Sequence, residues 1–86
     1  MGIRIFDHVD SMLAQGFHSV EIPLVISYMD DNWINDRNKI DDWCQQYIRG
    51  EYNIQSWWHP TAKRMVRAGF FRSDADAMVF ILKWAV

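Results

Sequence analysis

Cysteine is almost absent from this 86-residue chain. Cys44 stands alone, so neither an intrachain disulfide nor a zinc site built on a cysteine pair can form. A single thiol fits a reducing compartment, and the expected localisation is the cytoplasm. Proline occurs twice and glycine four times. No linker, low-complexity segment or internal repeat is visible, so residues 1–86 read as a single domain. No run approaches the roughly 18 apolar residues of a membrane span. The N-terminus lacks the basic start and long apolar stretch of a signal peptide. Met1-Gly2 opens like a myristoylation site, but position six is Phe6 rather than Ser or Thr. No membrane partner is expected. The formal net charge is only −2, which gives no general attraction for phosphate backbones.

What the chain does have is apolar and aromatic surface. Half of its residues are hydrophobic and five are tryptophan, a composition that excludes disorder. A chain of this length buries about two-thirds of its unfolded surface, so five indoles are many to hide. Charge is unevenly placed. Asp30, Asp31, Asp36, Asp41, Asp42 and Glu51 form an acidic run, and Lys63, Arg64, Arg67, Arg72 and Lys83 a basic one. Such runs are ordinarily solvated faces, although they can also steer a partner of opposite sign.

The most informative stretch is 70–84, FFRSDADAMVFILKW. Ser73 is placed to cap a helix, with Asp74 and Asp76 in its first turn where negative charge suits the dipole. Asp76 occupies the capping-box position, but is shorter than the usual Glu. Beyond it the pattern is two-fold. Ala77, Phe80, Ile81 and Trp84 share a helix face, whereas Met78, Phe80, Leu82 and Trp84 share a strand face. Residues 78–86 are therefore left as helix or edge strand, with Phe80 and Trp84 inward in both cases.

Upstream, Ile5, Phe6, Val9, Met12 and Leu13 keep helical spacing up to Gly16, a left-handed cap. Residues 18–29 alternate as a strand that Pro23 confines to an edge or a bulge, and Asp30-Asp31-Asn32 form a turn. A helix is predicted for 35–49, capped by Asn35 or Asp36 and closed by Gly50, with Ile40, Trp43, Cys44, Tyr47 and Ile48 as its buried stripe. Tyr52–Trp58 and Arg64–Phe71 read as strands, and a helix over 60–68 is the rival for the second. Gly69 marks a bulge or a close contact.

From the first long strand onward this order resembles the ferredoxin-like split βαβ arrangement with its fourth strand short or missing. The expected fold is α+β, a small antiparallel sheet of three to four strands with helices packed on one face, plus an N-terminal helix. The residues Trp43-Cys44, Gly50-Glu51-Tyr52 and Phe71…Asp76-Ala77…Phe80…Leu82…Trp84 resemble small uncharacterised proteins encoded by tailed bacteriophages. That likeness covers roughly the last fifty residues. Its motifs are core residues, so it implies an origin and no catalytic position.

Chemistry has little footing. Cys44 lies on the apolar stripe of a helix, as buried free cysteines do. His8, His18 and His59 fall at no metal-ligand spacing. Asp41 and Asp42 are helix neighbours about 100° apart and read as solvated. No phosphate loop occurs. No catalytic residue, metal, cofactor or small-molecule substrate is expected. The remaining signal is aromatic. Trp57, Trp58, Arg64, Arg67 and Phe71 are the candidate partner-binding residues, since Trp and Arg anchor interfaces. Their face is either open or covered by the N-terminal helix. The expected function is a non-enzymatic, phage-encoded module that docks on a host protein or on itself. Removal of Trp57 and Arg67 is expected to leave its fold intact. The alternative is a nucleic-acid binder that uses the basic, aromatic face, since Arg67-Ala68-Gly69-Phe70-Phe71 faintly resembles an RNA-recognition strand.

Overall fold

The computed structural model describes residues 2–22 and 32–85. Its elements are β1 (Ile3–Arg4), α1 (Val9–Ala14), β2 (His18–Glu21), α2 (Asn32–Tyr47), β3 (Glu51–His59), β4 (Arg64–Phe71) and α3 (Asp74–Phe80), with a π-helical turn at Ile81–Ala85. The proposed continuation of the first long strand to Met29, the Pro23 break and the turn at Asp30-Asp31 lie outside the described residues.

The sheet order is β1-β3-β4-β2. β4 runs antiparallel between β2 and β3, which makes β2-α2-β3 a split βαβ unit of the expected kind. The fold is α+β with a small sheet. Two details differ from the expected layout. The sheet is mixed, because β1 lies parallel to β3 on its outer edge. Helices also cover both sheet faces. The helix predicted from Ile5 begins only at Val9, because pairing satisfies the backbone before it: Gly2 N–H donates to Gln45, Ile3 N–H to Gly50 and Ile5 N–H to Tyr52. A short isolated helix offers no equivalent gain.

Side-chain alternation assigns the two faces. Tyr52, Ile54 and Phe71 meet Ile40, Cys44 and Ile48 of α2 and Ala77 and Phe80 of α3 in the larger core. Ala68 and Phe70 meet Met12 and Phe17 from the α1 side, with Val9 and Trp57 against them. Gly16 closes α1 as its spacing predicts, at φ +90°. Phe17 N–H donates to Met12 and Gly16 N–H to Leu13, the paired bonds of a Schellman motif, and Phe17 joins Met12 in the core as that motif requires.

α2 begins at Asn32, so Asn35 and Asp36 lie inside it rather than capping it. Its far end is closed by a side chain from elsewhere. Asp76 Oδ1 accepts from Arg49 N–H at 3.2 Å and Oδ2 from Gly50 N–H at 2.9 Å, at the Gly50 where the sequence ends the helix. Ser73 does cap α3, accepting from Asp76 N–H. The last segment stays helical to Ala85. The helical reading buries Ala77 and Phe80, whereas the strand reading would bury Met78 and Leu82, which are exposed.

The β3–β4 register runs unbroken through Gly69, so no bulge forms there. A close contact does. A Cβ at 69 would sit 2.7 Å from the Phe71 ring and 3.2 Å from Ile54 Cδ1. Gly69→Ala is expected to cost about 1–3 kcal/mol by overpacking, read as a lower urea midpoint at unchanged slope.

Candidate functional site: the open end of the β3–β4 hairpin

β3 and β4 form the longest pairing of the sheet. Among the described residues β1 pairs with Glu51 and Tyr52, and β2 with residues 68–71, beyond which Ile22 N–H donates to the Arg67 carbonyl. The last rungs of the hairpin are Trp57–Val66, Trp58–Met65 and His59–Arg64. Residues 60–63 close it, with Lys63 in the left-handed region at φ +53°. Lys63 N–H donates to the His59 carbonyl and Ala62 N–H to His59 Nδ1. This is a hairpin loop, so the rival helix over 60–68 is excluded.

At this end Trp58 is 57% exposed, and its cross-strand neighbour Met65 is 44% exposed. The five candidate residues divide between two faces. Trp57 points to the α1 side, half-buried, with its ring centre 5.0 Å from His59 and 6.0 Å from Phe70. Its Nε1–H is buried without a hydrogen-bond partner among the described residues. Arg64 is on the same side and pairs with Glu21 at 2.7 Å, tying the hairpin end to β2. Trp58, Arg67 and Phe71 point to the other side. There Arg67 is only 7% exposed and Phe71 is wholly buried, 4.7 Å from the Phe80 ring. The structure thus groups Trp58 with Met65, sets Arg64 on the reverse side, and withdraws Arg67 and Phe71 from the surface. Removal of Trp57 and Arg67 would touch buried packing, contrary to the expectation that such a variant keeps its fold intact. Met65 was legible as a strand residue on the Arg67 face. Its position opposite Trp58 depends on the loop length.

Asp41 is the second departure. Asp42 is exposed, but Asp41 is buried. Asp41 Oδ1 accepts from the Tyr52 hydroxyl at 2.9 Å, and Oδ2 accepts from Arg4 at 3.2 Å and from Gln45 at 3.4 Å. The carboxylate joins β1, α2 and β3. Burial, followed by the charges of Asp41 and Asp76, pushes the Cys44 thiol up to about 12. Burial, followed by the Asp41 hydrogen bond, pushes the Tyr52 phenol upward as well. Both groups are held neutral by the fold. Their contribution is complete below their ordinary values of 9.0 and 10.0 and is lost as pH rises above them. Thermal stability is expected to decline above about pH 9, and Cys44→Ala with Tyr52→Phe should flatten that decline.

Among the described residues no group of three His, Cys, Asp or Glu is placed to hold a metal ion. No described helix is long and apolar enough to cross a membrane. The class the fold defines is a small split βαβ domain with an added N-terminal strand and helix. Comparison with known proteins finds no family model, no curated protein and no solved structure that matches the chain.

Proposed function

We propose that this is a non-enzymatic protein-binding module, phage-encoded and acting in the host cytoplasm, which docks on a host protein and modulates it. The phage origin rests on the sequence resemblance alone. The docking reading rests on one observation, a tryptophan more than half exposed on a regular strand with an exposed methionine beside it. An indole held on a rigid strand loses little conformational freedom on binding, and such anchors dominate interface energies. Lys63 lies in the adjoining loop, whereas His59 and Arg64 lie on the reverse side of the hairpin, so the partner surface that fits is an apolar pocket with an acidic group near the loop. Trp58 and Arg64 remain as contact residues, and Met65 joins them.

Nucleic-acid binding draws less support. The stacking platform it needs would use Phe70 or Phe71, and both are wholly buried, under α1 and under the α2–α3 layer. Arg64 and Arg72 are engaged by Glu21 and Glu51.

The test is affinity capture from bacterial lysate, followed by a binding titration with the protein retained. Wild type should capture it, Trp58→Ala should not, and Leu82→Glu, at a distant exposed site, should. Capture that survives Trp58→Ala with Arg64→Ala refutes the proposal.

A further inference from the structure

We propose that a second copy of this chain docks on the outer face of the C-terminal helix, giving a weak two-fold dimer. The inward side of 74–85 is accounted for by Ala77, Phe80, Ile81 and Trp84, which pack on the core. The outward side is not polar. Met78, Val79 and Leu82 are exposed, Leu82 at 73%. A helix that is apolar on both sides is ordinarily covered on both.

The ends of this stripe name the occupant. Asp74 and Ala75 precede it and Lys83 follows it, all exposed. Exposed pairs thus recur at 74/75, 78/79 and 82/83, which is helical spacing along a single strip. A two-fold axis between Met78 and Val79 runs two such helices antiparallel. It sets Asp74 of one copy against Lys83 of the other, Ala75 against Leu82, and Met78 against Val79. Small meets large, and opposite charges meet at both ends, roughly 13 Å apart along each helix. An isologous contact requires this self-complementarity; a parallel pairing would set like charges together. Lys83 Nζ lies 5.5 Å from the Trp84 ring centre, on a flexible stem that can turn to the new carboxylate. The stripe is smaller than a standard interface of about 1,200 Å² or more, so half-association is expected at about 0.1–1 mM. This surface is distinct from the hairpin end and does not depend on the docking reading.

The test is sedimentation equilibrium of the full chain at low ionic strength, from about 10 µM to 1 mM, the range set by that weak interface. Wild type should rise from 10.3 kDa toward twice that mass. Asp74→Lys alone and Lys83→Asp alone should each weaken association about tenfold or more, because each sets like charges together at both ends. An equimolar mixture of the two variants should associate again, since the mixed pair has opposite charges at both ends. That recovery also shows that both variants are folded. Leu82→Glu, at an exposed position, should abolish the dimer while circular dichroism stays unchanged. A wild type that remains at 10.3 kDa throughout, a dimer indifferent to the charge swaps, or a mixture that fails to recover would each overturn the proposal.

Discussion

Phe71→Ala is expected to remove about 3–5 kcal/mol of folding stability. The ring is wholly buried and packs against Phe80, with Gly69 kept bare beneath it. Its loss leaves a cavity between the sheet and α3 that the surrounding backbone can only partly close. A domain of this size has on the order of 5–10 kcal/mol in total, so the variant should lose about half of its stability and unfold at a much lower urea concentration. Urea denaturation followed by circular dichroism reads this directly. A shift below about 1 kcal/mol, the ordinary surface range, would mean that Phe71 is outside the core. Lost binding in this variant would report unfolding and carry no information on the interface.

Trp58→Ala should behave in the opposite way. The indole is more than half exposed, so stability should move by no more than about 0.5 kcal/mol. Binding should fall by about 2–4 kcal/mol, a factor of roughly 30 to 1,000. Calorimetric titration with the captured protein gives the affinity, and thermal melting of the same samples gives the stability. A variant that melts normally and binds normally would end the proposal. Phe71 and Trp58 were read from the sequence as members of one contact set, and these two outcomes separate them.

Much of the fold was legible because period, caps and breakers agreed. Arg64–Phe71 forms a strand within its expected bounds. Gly16 turned the chain where its spacing required, and Ser73 capped α3. What was not legible depended on contacts distant in sequence. Alternation says that Trp57 and Trp58 face opposite ways, but not which face a helix covers. Here α1 folds back over Phe70 and half-buries Trp57, while Trp58, on the opposite face, is left exposed. Burial of Asp41 could not be seen either, because its partners Arg4 and Tyr52 come from β1 and β3. Asp76 looked like a weak capping-box residue, yet its carboxylate reaches Arg49 and Gly50. The candidate site was half legible. Trp58 and Arg64 followed from residue type, whereas Arg67 and Phe71 have the same types and are buried, which only the packing decides.

The central claim is that helices cover both sheet faces and, among the described residues, leave Trp58 as the exposed indole at the hairpin end. The most direct measurement is the relaxation of tryptophan ring and Nε1–H resonances by a soluble paramagnetic agent, with each indole assigned by mutation. The Trp57 and Trp84 Nε1–H signals should be protected, since both nitrogens are buried, while the Trp58 ring should relax strongly. A Trp57 indole that relaxes as fast as Trp58 would show that α1 does not cover its face and would contradict the account.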